Sequence, residues 1–109
     1  MRDSWLTVVA RTVTFDSVIK SFRHAGLGEL FAKGKSAAVP PELQKRCLNR
    51  MTVLNLASNV HEVTGVGFDT HPLKGVNPVR YTMSVSGPWR ITFEFESGDA
   101  YRVDLEQYH

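Results

Sequence analysis

Cysteine is almost missing from this sequence: Cys47 stands alone in 109 residues. A single thiol excludes an internal disulfide framework and the usual zinc ribbons and knuckles, and it suits a reducing cytoplasm. Long apolar runs are missing too. The longest near the N-terminus, Leu6 to Ala10, is far too short to span a bilayer and is cut off by Arg11, so neither a membrane segment nor a secretory signal is expected. Excess charge of one sign is scarce: 13 Lys and Arg stand against 11 Asp and Glu, a net +2 that permits an anionic partner without demanding one. There is no internal repeat, no Gly-rich phosphate loop and no nucleophile elbow. The histidines His24, His61, His71 and His109 form no i,i+4 pair and have no cysteine at ligand spacing, so no metal site and no cofactor are expected.

What remains is an ordinary globular composition, 42% hydrophobic and 22% charged, in a length that suits one domain with one modest core. Residues 1–17, "MRDSWLTVVARTVTFDS", sit apart from the rest and read as an N-terminal extension, with Val9, Val13 and Phe15 able to share one face of an added edge strand. From residue 18 onward the pattern is that of one α+β domain. "VIKSF" (18–22) predicts a short strand. "HAGLGELFAKG" predicts a helix on the spacing of Leu27, Leu30 and Phe31, stopped by Gly34. "VPPELQKRCLNRMTVLNLAS" predicts the longest helix, opened by Pro40-Pro41-Glu42 and buried along Leu43, Cys47, Met51 and Leu54. In that phase Cys47 packs in the core and does not react. The opposite face carries Lys45, Arg46 and Arg50, a cluster of the kind helices ordinarily leave in water.

After the loop "TGVGFDTHPLKG" the period changes to two. "RYTMSVS", "WRITFEFE" and "AYRVDLEQ" alternate apolar with polar residues, and the short "GP" and "SGD" turns between them make an antiparallel meander. Tyr81, Met83, Val85, Trp89, Ile91, Phe93, Phe95, Tyr101, Val103 and Leu105 are expected inward. The two helices should cover that face and leave the other partly open.

The open face is where chemistry belongs. Arg90 alternates onto it with Thr92 and Glu94, either to pair with Glu94 or another cross-strand acid or to hold an anion. "HPLKG" places His71 and Lys74 in a loop beside the meander, a titrating imidazole near a fixed cation, which is the equipment of phosphoryl chemistry. Such a pair in a loop is also a common surface feature. His24 and His61 read as surface residues without a role.

Taken together, "IKSFRHAGLGELFAKG", "HPLKG", "WRITFEFESGDAY" and the final "YH" resemble the HigB toxins of the RelE/ParE superfamily, the plasmid-maintenance killer proteins, over residues 18–109. The resemblance implies an N-terminal strand and two helices packed on one face of a mainly antiparallel sheet whose concave face is open. It implies a metal-independent, ribosome-dependent endoribonuclease that cuts mRNA in the A site of the 70S ribosome and halts translation. By the same resemblance His109 transfers protons, Tyr108 orients the scissile phosphate or packs on a base, His71 shares acid–base or electrostatic duty, and Lys74 and Arg90 hold the phosphate. Lys45, Arg46 and Arg50 would meet rRNA phosphates. A HigA-type antitoxin is implied as partner, with operator DNA reached only through the toxin–antitoxin complex. The family carries an acidic residue where Gln107 stands, so the amide removes an acid–base group, and Glu106 is expected on the opposite face by strand alternation. Val18 occupies the position of the family's first Met, which suggests an alternative start at Val18 with residues 1–17 as translated leader. The competing readings are a non-nuclease toxin of the same fold and an inactive paralogue that only binds antitoxin.

Overall fold

The computed structural model describes residues 18–65 and 67–107, so the extension, Tyr108 and His109 lie outside the described residues. Three helices are followed by four strands: α1 (Ala25–Lys33), α2 (Pro41–Leu56), α3 (Val60–Gly65), β1 (His71–Pro72), β2 (Tyr81–Ser86), β3 (Trp89–Glu96) and β4 (Asp99–Gln107). The strands lie in the order β1-β2-β3-β4, and each neighbouring pair is antiparallel. The expected meander is therefore present, extended by the two-residue β1.

Each helix boundary has a local cause. The carbonyls at the end of α1 are met by a left-handed Gly34 (φ 82°), whose N–H donates to the Leu30 carbonyl. A Cβ at Gly34 would meet nothing within 4 Å, so Gly34→Ala should cost only the left-handed backbone term, about 1 kcal/mol. A urea titration of the variant measures it. At the other end the expectation for His24 fails: its Nδ1 accepts the Leu27 N–H at 3.1 Å, so it caps the helix. Pro41 opens α2, where its missing N–H costs nothing, and Glu42 lies in the first turn.

The helix α3 was not expected. Its cue is Asn59-x-x-Glu62: Asn59 Oδ1 accepts the Glu62 N–H at 3.0 Å, and Glu62 Oε1 accepts the Ser58 N–H and hydroxyl at 2.6 and 2.9 Å. Those Ser58 hydrogen bonds hold the Glu62 carboxyl below its ordinary pKa. Leu27 and Leu30 of α1, Leu43, Cys47, Met51 and Leu54 of α2, and Val63 of α3 join Met83, Val85, Ile91, Phe93, Val103 and Leu105 of the sheet in one core. The Tyr81 ring stacks on Phe93 there, centroids 5.7 Å apart. Burial pushes the Cys47 thiol up to about 11 against the pull of the Arg50 charge, so it stays a neutral packing group. No helix among the described residues is long and apolar enough to cross a membrane.

Two expectations about strands need correction, and both fall at one irregularity. Between Thr92 and Glu94 the β3–β4 register shifts, and Arg102 takes φ 49°. The extra residue on β4 reverses the alternation, so Ala100 faces the core and Tyr101 pairs with Glu94 on the other face, not inward as expected. The segment 18–22 runs parallel to β4 and pairs with it at two isolated bridges, Ile19 to Ala100 and Phe22 to Val103. Between them the Arg102 N–H donates to the Ser21 hydroxyl at 2.9 Å, at the bulge in β4.

Candidate active site

The face of the sheet opposite the core carries Thr82 and Ser84 of β2, Arg90, Thr92 and Glu94 of β3, and Glu106 of β4. Register puts Ser84 beside Arg90, Arg90 beside Glu106, and Thr82 beside Thr92. Arg90 is on the face expected for it but is buried, 8% exposed. Its Nε donates to Thr82 Oγ1 at 2.9 Å, Nη1 to Asp69 Oδ2 at 3.2 Å, and Nη2 to the Asp69 carbonyl at 3.2 Å. The acid that receives it is therefore a loop residue, and Glu94 is engaged elsewhere.

Glu94 belongs to a residue that the sequence reading missed. Arg80, 6% exposed, lies one position before β2 in phase with Thr82. Its Nη1 donates to Glu94 Oε2 at 3.1 Å, and its Nη2 donates to Thr92 Oγ1 at 2.9 Å and to the Arg102 carbonyl at 3.0 Å. The available signal was its alternation with Thr82 and Ser84, continued outward from the strand.

His71 lies not in a free loop but in β1, paired with Thr82. Its Nδ1 is 2.7 Å from the Asp69 carbonyl oxygen. A carbonyl can only accept, so Nδ1 carries the proton and Nε2 is left for exchange with a substrate. Asp69 thus touches both His71 and Arg90, and sequence reasoning gave it no role. Lys74 is exposed in the turn that follows β1.

The helix cluster divides. Lys45 is exposed, as expected of a solvated face. Arg50 turns back onto the sheet: its Nε donates to the Ser84 carbonyl at 3.1 Å and its guanidinium lies 4.1 Å from the Phe68 ring centroid. Arg46, though exposed, reaches the Val85 carbonyl at 3.5 Å. Burial, and secondarily the charge of Arg46, lowers the Arg50 pKa from its ordinary value.

The expectation for Glu106 is overturned. It shares the face of Arg90, and its Oε2 accepts a hydrogen bond from Thr92 Oγ1, whose oxygen in turn accepts from Arg80. Gln107 is the register partner of Trp89, which alternates with Arg90 and shares the phase of Ile91, so position 107 lies on the opposite face from Arg90. Strand alternation was sound; the choice of which residue it turned outward was not. Among the described residues no cluster of three or more His, Cys, Asp or Glu could hold a metal ion.

An antiparallel sheet with helices on one face and a polar, arginine-bearing opposite face is compatible with the RelE-like class of toxins. The chain belongs to the family of RelE-like toxins of the type II toxin–antitoxin system HigB, which it matches over residues 20–109. Its similarity to Endoribonuclease HigB of Proteus vulgaris is 39% identity over 92 residues, covering 84% of this chain and 100% of that protein.

Proposed function

We propose that this toxin is an endoribonuclease acting in the cytoplasm on mRNA held in the A site of the ribosome. The observation that carries the reading is the Arg90–Asp69–His71 cluster, a fixed guanidinium and an oriented imidazole held by one loop residue on the polar side of the sheet. The name of the Proteus vulgaris relative, Endoribonuclease HigB, supports RNA as the substrate.

In the proposed reaction a ribose 2′-oxygen attacks the adjacent phosphorus while a base takes its proton. The bond from phosphorus to the 5′-oxygen breaks, an acid protonates that oxygen, and the products are a cyclic phosphate and a 5′-hydroxyl. His71 through Nε2 and His109 are the proton-transfer groups. Tyr108 orients the phosphate or packs against a base. Arg90 and Lys74 neutralise the charge that grows on the phosphorane oxygens. Lys45, Arg46 and Arg50 meet rRNA phosphates, so ribosome affinity should fall as salt rises. A HigA-type antitoxin neutralises the toxin, and operator DNA is bound only through that complex.

Glu106, not residue 107, places a carboxylate beside Arg90 in the register of β3 and β4. Gln107→Asp should therefore change cleavage by less than about threefold, whereas Glu106→Gln should lower it by about tenfold or more. Initial rates of mRNA cleavage on programmed ribosomes compare the two. A large gain from Gln107→Asp would return the acid–base role to position 107.

The reading as a whole is tested by adding the protein to a bacterial translation reaction, with and without ribosomes, and mapping mRNA 5′ ends, with His109→Ala as control. New ends that appear only with ribosomes and vanish in the control are expected. Intact message together with arrested translation would defeat the nuclease reading.

A further inference from the structure

Phe68 and Asp69 both adopt left-handed backbone, φ 57° and 53°. The conformation is tolerable for aspartate but unfavourable for a bulky aromatic, so something must hold it. Two contacts do. The Ser84 N–H donates to the Phe68 carbonyl at 2.7 Å, and the Arg50 guanidinium lies over the Phe68 ring. The turn is thereby fastened to β2 on one side and to α2 on the other. What it presents is Asp69, whose carbonyl meets both His71 Nδ1 at 2.7 Å and Arg90 Nη2 at 3.2 Å while its carboxylate takes Arg90 Nη1 at 3.2 Å. Backbone strain of this kind persists where the surroundings over-determine it and is concentrated at functional sites.

We propose that Asp69 is a positioning residue for RNA cleavage: held in the left-handed Phe68–Asp69 turn, it fixes the Nδ1–H tautomer of His71 and the orientation of the Arg90 fork. The proposal rests on the nuclease reading above. A free imidazole can place its proton on either nitrogen, and only the Nδ1–H form leaves Nε2 available to take a proton from the 2′-hydroxyl or, once charged, to deliver one to the 5′-oxygen. Arg90 would otherwise sample several rotamers, and misplacing a charge-stabilising group by an ångström costs much of its effect in the transition state. The 70% exposure of the Asp69 side chain makes its ion pair a weak source of stability, so orientation is its main contribution.

The test uses the whole toxin with Asp69→Ala and Asp69→Asn. Asparagine tolerates left-handed backbone and keeps an acceptor for Arg90, whereas alanine keeps neither property. Two-bond nitrogen–proton correlation spectra of ¹⁵N-labelled protein should show neutral His71 as the Nδ1–H tautomer in the wild type and in Asp69→Asn, and a raised share of Nε2–H in Asp69→Ala, where the backbone carbonyl remains but the left-handed residue that aims it is disfavoured. On programmed ribosomes Asp69→Ala should lower kcat by about ten- to a hundredfold with KM nearly unchanged, and Asp69→Asn should recover most of it. A wild-type His71 in the Nε2–H form overturns the proposal whatever the cleavage rates. So does an Asp69→Ala protein with lower KM and faster cleavage, because Asp69 would then be competing with the phosphate for Arg90. If the tautomers behave as stated but the wild type cuts no message, the nuclease reading fails and the positioning of His71 stands.

Discussion

Arg90→Ala should lower ribosome-dependent mRNA cleavage by about 10²- to 10³-fold, the usual loss when one preorganised donor to a developing anion is removed. Arg90→Lys should recover only a small part of that. An ammonium is a point charge on a flexible stem, and it cannot reach Thr82 Oγ1, Asp69 Oδ2 and the Asp69 carbonyl together as the guanidinium does. The loss should appear in kcat more than in KM, since the donors matter most as the phosphorane forms. Because Arg90 is buried, the measurement needs a control for folding: circular dichroism of both variants, with rates compared at a temperature where each is fully folded. Full activity in Arg90→Lys would show that charge alone suffices and that the fork is unnecessary.

The second large effect concerns stability. Arg80→Ala should destabilise the domain by about 3 kcal/mol, the lower end of the range for breaking a buried ion pair. The Arg80 and Glu94 side chains are 8% and 13% exposed, and without Arg80 the Thr92 hydroxyl and the Arg102 carbonyl also lose a donor. The cost stays at the low end because Arg102 Nε remains 3.6 Å from Glu94 Oε2. Replacing the cation by an apolar chain of similar length, Arg80→Met, leaves the same carboxylate unpaired and should recover little, whereas Arg80→Met with Glu94→Leu should come close to wild type. Urea unfolding of the three variants separates these outcomes. Arg80 and Arg90 look alike in sequence and burial, yet one cross-links strands and the other binds Asp69, which also meets His71.

Much of the fold was legible because its elements are periodic. Leu27, Leu30, Leu43, Cys47, Met51 and Leu54 mark helix faces at one residue per turn, and Met83, Val85, Ile91 and Phe93 mark a strand face at every second residue. Gly34 and the short turns at residues 87–88 and 97–98 supply the punctuation. The failures came where one residue alters a period or a cap acts locally. A single bulge at Arg102 turned Tyr101 outward, residues 18–22 pair with β4 only at isolated bridges on either side of it, and Asn59 with Glu62 started a helix too short to show periodicity.

The sequence by itself determined the two main helices, the antiparallel meander, the side of the sheet on which Arg90 lies, and, through its motifs, membership of the HigB toxins. These follow from spacing along the chain, which is local and repetitive. Only the tertiary structure decided which acid meets which base: Asp69 with Arg90 and His71, Arg80 with Glu94, and Glu106 in place of Gln107 on the face with Arg90. Asp69 and Arg90 are 21 positions apart, and their meeting depends on a left-handed turn, a cation over an aromatic ring and the exact pairing of β2 with β3. Such contacts are set by long-range geometry, where a shift of one residue in register moves a side chain to the opposite face.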